Sequence, residues 1–176
     1  KELLEIAERT WEFFKEYLNS ENNYLIPDNY QEERKPVVVH RTSSTNIGLS
    51  LLSVISAYDL GYSNLKETIE LLNKILGTVN ELQKWNGHLY NWYNTKTLEP
   101  LIPRYISTVD SGNFVGYLMV AKQFLLENNI TDYLYEDINS LIENTNFSVL
   151  YNSKIKLFSI GFNIEENKLT DSYYDF

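Results

Sequence analysis

Apolar positions in the first twenty residues recur at helical spacing. Leu3, Ala7, Trp11, Phe14 and Leu18 fall on one face of a 3.6-residue period, with Glu2, Glu5, Glu8, Glu12 and Lys15 opposite. This predicts an amphipathic helix that stops near Asn19-Ser20. A polar stretch from Glu21 to Arg41, holding Pro27 and Pro36, follows; it is longer than most connections, and such loops often carry function. A second helix is expected from Ser43–Thr45 to Gly61, nearly uncharged before Asp59 and so buried on most sides. A third, from Ser63, shows one narrow stripe (Leu65, Ile69, Leu72, Leu76, Val79) and a charged opposite face. Trp85 to Ile106, dense in aromatics and holding Gly87, Pro100 and Pro103, predicts loops and a short hairpin. A fourth helix, capped by Asp110 or Ser111 and running to Glu127, is apolar nearly all round; a fifth, from Thr131, is one-sided. Phe147–Tyr151 and Ile155–Phe162, joined by Asn152-Ser153-Lys154, predict a β-hairpin.

Buried helices two and four therefore alternate with surface helices three and five. Two nested rings of helices produce that alternation, so the fold class expected is mainly α: a partial (α/α)6 toroid with about five helices and a short β-hairpin near the C-terminus. A full toroid has twelve helices. Residues 1–176 are thus expected to be the N-terminal part of a single domain whose remainder is absent, an expectation that the missing initiator Met reinforces. Helices two and four would then expose apolar surface at an open barrel edge, and self-association or marginal stability is expected there.

Composition narrows the chemistry. The 176 residues carry net charge −9, no Cys, two His, 14 Tyr, 8 Phe and 3 Trp. The acidic balance argues against nucleic acid and anionic lipid as partners. Without Cys there is no disulfide framework, thiolate zinc site or Cys nucleophile. His40 and His88 show no ligand spacing, so neither a metal nor another cofactor is expected. No run of 18 apolar residues spans a membrane, and Lys1–Leu18 does not read as a signal peptide.

Three loop clusters bring flat aromatic faces beside amides, hydroxyls, an Arg and an Asp. They are Asn29-Tyr30-Gln31 with His40-Arg41-Thr42-Ser43, then Gly87-His88-Leu89-Tyr90-Asn91-Trp92-Tyr93, then Tyr105 through Asn113. Sugars demand that mixture, because their C–H faces pack on rings while their hydroxyls need planar donors and acceptors. Stacking is assigned to Tyr30, Trp92 and Tyr93, and hydroxyl orientation to Asn29, Gln31, Arg41, Asn91 and Asn113. His40, His88, Tyr174 and Asp175 complete the candidate substrate-binding set. Asp110 is the local candidate for acid/base chemistry, although a cap role would equally explain Asp110-Ser111. His88 as an ordinary hydrogen-bonded loop histidine, and Gly48 and Gly112 as helix-packing glycines, are the plainer alternatives.

Three stretches carry a resemblance: His40-Arg41-Thr42-Ser43-Ser44-Thr45-Asn46-Ile47-Gly48-Leu49, Gly87 through Pro100, and Ser107-Thr108-Val109-Asp110-Ser111-Gly112-Asn113. With Phe158 through Asn163 and Asp171-Ser172-Tyr173-Tyr174-Asp175, they resemble in order the glucoamylase-like region of cyclic β-1,2-glucan synthases. Ser44 and Asn94 depart from it, where Pro and Asp are expected. The resemblance implies a very large, membrane-attached bacterial protein whose cytoplasmic middle (α/α)6 domain closes linear β-1,2-glucan into rings by transglycosylation. It further implies that the principal catalytic carboxylates lie downstream and that this portion alone is inactive. Two other functions remain open: a β-1,2-glucan hydrolase domain, and a non-catalytic carbohydrate-binding scaffold. The partner implied is a β-glucan or gluco-oligosaccharide, with no direct membrane contact by this segment.

Overall fold

A computed structural model describes residues 1–32 and 37–174. Among these, five α-helices follow the predicted periods: α1 (Glu2–Tyr17), α2 (Ser44–Asp59), α3 (Leu65–Glu81), α4 (Thr108–Glu127) and α5 (Tyr133–Asn144). Each helix start after α1 is set by a side-chain cap. The Ser43 hydroxyl accepts from the Asn46 N–H, Asn64 from Glu67 and Asp132 from Leu134. Helix α4 starts earlier than expected: Ser107 is its cap, accepting from the Asp110 N–H at 3.3 Å. Asp110 therefore lies inside the first turn, and its carboxylate is not used for capping. In α1 the stripe is only half buried. Trp11, Phe14 and Leu18 reach the core, while Leu3 is 81% exposed.

Helices α2 and α4 pack side by side and run parallel. Thr45 meets Asp110 and Asn113 near their N-terminal ends, Gly48 meets Tyr117 midway, and the rings of Tyr58 and Phe124 lie 5.5 Å apart near the C-terminal ends. Gly48 is required there, since a Cβ would overlap the Tyr117 ring. Gly112, by contrast, has open space where a side chain would stand, so helix packing does not explain it. α1 and α3 cover α2, and α5 covers α4 and touches α3. The inner pair is thus α2 and α4, as the apolar patterning predicted. Leu49 on α2, Leu60 just past its end, and Val109, Met119, Val120 and Leu126 on α4 remain exposed on its flanks.

Short strands join the helices: β1 (Asn29–Gln31), β2 (Val37–Val39), β3 (Arg41–Thr42), β4 (Lys84–Trp85), β5 (His88–Leu89), β6 (Tyr93–Asn94), β7 (Tyr105–Ser107), β8 (Tyr151–Asn152), β9 (Leu157–Phe158), β10 (Gly161–Asn163) and β11 (Lys168–Leu169). β1 and β2 form a hairpin in which Asn29 faces Val39, and β3 pairs with β6 through Arg41↔Asn94 and Thr42↔Tyr93. The hairpin predicted at 147–162 is present only as the two-residue pair β8–β9. Phe147–Leu150 is a 3₁₀ turn, and β10 leaves to lie between β7 and β11. The physical reason sits at Ser159, whose buried hydroxyl donates to backbone carbonyls of Gly161 and Thr170 and turns the chain. Gly161 then lies against the Ile106 carbonyl with no room for a Cβ.

Candidate functional site

The parallel packing of α2 and α4 brings both N-terminal ends to one mouth. On the α2 side, the Asp28 carboxylate collects four donors. Arg41 Nε and Nη2 reach Oδ2 at 3.3 and 3.1 Å, Asn29 Nδ2 reaches Oδ2 at 3.0 Å, and Asn46 Nδ2 reaches Oδ1 at 3.3 Å. The Arg41 guanidinium also lies over the Trp92 ring, 4.2 Å from its centroid. A half-exposed ion pair of this kind contributes about 1 kcal/mol or less. Its effect is to orient two planar groups. Asn29 Oδ1 is buried without a hydrogen-bond partner among the described residues. Buried acceptors are seldom left unpaired, and this one stands beside an array of polar groups.

On the α4 side, the Thr45 hydroxyl donates to Asp110 Oδ1 at 2.5 Å and accepts from Asn113 Nδ2 at 3.2 Å. One carboxylate oxygen of Asp110 is thereby pinned, and the other has no protein donor among the described residues. The Tyr105 hydroxyl shares a hydrogen bond with Thr170. Half-exposed Tyr174 has its ionisation raised, chiefly by desolvation and further by the neighbouring Tyr105 and Asp110. The open space at Gly112 borders the same turn.

Of the residues picked out from sequence, Asn29, Arg41, Trp92, Asp110, Asn113 and Tyr174 thus lie around the mouth. Tyr30 and Gln31 stand exposed on β1, Asn91 is half-buried beside Trp92, and exposed His40 faces Thr95. Desolvation, then the nearby Lys96 charge, lower the His40 pKa. Tyr93 and His88 are buried rather than facing the mouth. Tyr93 is fully buried, its hydroxyl donating to the Gln83 carbonyl and accepting from the Tyr90 N–H. His88 is held between Ser111 and Asn146. Asp175 lies outside the described residues. Asp28, Thr45 and Asn46 escaped the sequence reading. The signal was present, since Asp28 adjoins Asn29 and the other two occupy the first turn of α2.

Among the described residues, no group of three His, Asp or Glu could hold a metal, and no helix is long and apolar enough to cross a membrane. The fold and mouth define a class: the chain is part of an (α/α)6 toroid of the glucoamylase-like kind. It superposes on an endo-β-1,2-glucanase from Chitinophaga pinensis, solved with sophorotriose and glucose, with a TM-score of 0.80 at 16% identity, covering 98% of this chain and 43% of that one. A β-1,2-glucanase from Parabacteroides distasonis gives 0.77 at 14% identity, covering 97% and 25%. No family model matches the chain. At the level of sequence, the chain is 46% identical over 127 residues to the cyclic β-(1,2)-glucan synthase NdvB of Rhizobium meliloti (strain 1021), which covers 72% of this chain. The resemblance to the glucoamylase-like region of cyclic β-1,2-glucan synthases is thereby shown. The chain spans only 4% of the length of that curated relative.

Proposed function

We propose that residues 1–176 are the N-terminal part of one (α/α)6 domain, and that its mouth forms one wall of a cleft for β-1,2-linked glucan. The observation that carries this reading is the convergence of Trp92, Arg41, Asp28, Asn29, Asp110 and Asn113 at the shared end of α2 and α4. Trp92 and Tyr30 supply apolar faces for sugar rings. Asn29, Gln31, Arg41, Asn91 and Asn113 orient hydroxyls. A site whose buried polar groups are completed only by substrate hydroxyls discriminates strongly against ligands that lack them, and the unpartnered Asn29 Oδ1 suits such a role. Asp110 presents one free oxygen to a proton of the substrate.

In the complete domain the reaction is transglycosylation, with a sugar hydroxyl of the same chain as acceptor, and the product is a ring. This follows the similarity to a cyclic glucan synthase. Hydrolysis is the second reading, favoured by the glucanases that share the fold. Linear β-1,2-gluco-oligosaccharides added to the 176-residue chain should change tryptophan emission saturably, and cello-oligosaccharides should not. Trp92→Ala should abolish the change. On the full polypeptide that carries this segment, Asp110→Asn should lower β-1,2-glucan turnover at least about a hundredfold, the scale on which a positioned acid or base acts. Ring products are lighter than linear ones by one water, so product masses separate the two readings. Glucan turnover that survives both substitutions would refute the site.

A further inference from the structure

The β4–β5 turn is built from Asn86 and Gly87, both at positive φ (49° and 82°). It is wedged against the C-terminal end of α5, where a Cβ on Gly87 would overlap the Asn144 carbonyl. This wedge delivers His88, 1% exposed, to a place between two elements. His88 Nε2 lies 2.9 Å from the Asn146 carbonyl oxygen, and Nδ1 lies 2.9 Å from Ser111 Oγ. A carbonyl oxygen can only accept, so Nε2 carries the proton. In the neutral ring Nδ1 is then a lone pair, and the buried Ser111 hydroxyl donates into it. Desolvation holds the pKa below its ordinary value of 6.5, the Asn146 carbonyl partly opposing, so the neutral form persists. The Phe147 ring closes the pocket edge-on at 5.1 Å.

Ser111 directly follows Asp110 in the first turn of α4. Asp110 is thus gripped from α2 by Thr45, while the turn that bears it is gripped from beneath by His88. We infer that His88 is a positioning residue: through Ser111 it sets the rotation of the first turn of α4, and with it the direction in which Asp110 offers its free oxygen to a glucan hydroxyl. The inference rests on the proposed role of Asp110 and assigns His88 no contact with substrate. A displacement of about 1 Å at such a group costs about a hundredfold in rate.

Two replacements divide the ring between them. Asparagine places an amide oxygen where Nδ1 stands and keeps the Ser111 bond; glutamine places an amide NH2 where Nε2 stands and keeps the Asn146 bond. Turnover of β-1,2-glucan by the full polypeptide should fall by less than about threefold in His88→Asn. It should fall by about tenfold or more in kcat, with KM nearly constant, in His88→Gln and in Ser111→Ala. The double variant of the last two should be no slower than either, because both break one link. If His88→Asn and His88→Gln lose kcat equally, in proportion to their folded fraction, the role is only structural and the inference falls. A change confined to KM would overturn it as well. A second readout needs no turnover: the NMR chemical shift of the Asp110 carboxyl carbon at fixed pH in the 176-residue chain. That resonance should move in His88→Gln and Ser111→Ala and stay close to wild type in His88→Asn. No movement in any variant would overturn the inference, whereas full turnover by Asp110→Asn would refute the site reading itself.

Discussion

Replacing Tyr93 by phenylalanine removes one oxygen atom from a fully buried position. That oxygen donates to the Gln83 carbonyl and accepts from the Tyr90 N–H at 2.8 Å. The Tyr90 N–H is buried and would lose its only partner among the described residues; the Gln83 carbonyl is partly exposed and could recruit water. Leaving a buried donor unpaired costs about 1–3 kcal/mol, and a lost hydrogen bond near water costs about 1 kcal/mol. The sum, about 2–4 kcal/mol, centres on a factor of about 150 in the folding equilibrium. Burial also raises the Tyr93 ionisation far above its ordinary value, so the hydroxyl remains a donor throughout the folded pH range. Because Tyr93 pairs with Thr42 across β3–β6 and adjoins Trp92, the same change should loosen the Arg41–Trp92 stack. Urea melts followed by far-ultraviolet circular dichroism measure the loss. Tyr90→Phe is the control, since no hydrogen bond of the Tyr90 hydroxyl is found among the described residues, and it should change stability by less than about 1 kcal/mol. A Tyr93→Phe protein within about 0.5 kcal/mol of wild type would refute the hydrogen-bond accounting.

Two further outcomes are expected. Gly48→Ala forces a methyl group into the Tyr117 ring, an overpacking cost of about 1–3 kcal/mol against a helix-propensity gain of about 1, whereas Gly77→Ala, in open space on α3, should stabilise by up to about 1 kcal/mol; denaturant midpoints that move in the same direction for both would contradict the packing described. The folded-state pKa of His88 is depressed, so its contribution to stability is fully present above 6.5 and is lost as pH falls below that value, where the unfolded chain takes up a proton that the folded chain refuses; the wild-type melting temperature should therefore drop more steeply between pH 7 and 5 than that of His88→Asn, and parallel curves would show that the ring is not held neutral.

The helices were legible because their apolar stripes are long and because Ser, Asn and Asp at their starts have one dominant use. That same versatility blurred the start of α4, where Ser107, Asp110 and Ser111 can all cap. Only the strand β7 ending at Ser107 decides among them, and it pairs with residues more than fifty positions onward. The hairpin after α5 is shorter than its pattern predicts for a related reason. Its alternation is real, but Ser159 and Gly161 redirect the chain to a partner strand that no local pattern announces. The loop clusters were visible as composition, while their meeting was not, since it follows from two helices running parallel. Asp28 does not stand out in the sequence because its significance comes from Arg41, thirteen positions away across a hairpin. The inward turn of His88 and Tyr93 was hidden similarly: an aromatic in a loop reads as a surface until its backbone partners are known.

The hydrogen bond between Thr45 and Asp110 closes a loop of 65 residues. Closing a flexible loop of that length costs about 3.7 kcal/mol in chain entropy before any constant, more than one such contact returns. The mouth therefore cannot form ahead of the fold. It exists only where α4 is docked on α2, with α3 and the β4–β5 hairpin shortening the path between them. Fold and site are in this sense one cooperative unit. A ligand that bridges the Asp28–Trp92 side to the Asp110 side grips a contact present only in the folded chain, and it should raise the unfolding temperature in proportion to the logarithm of its concentration once the site is saturated.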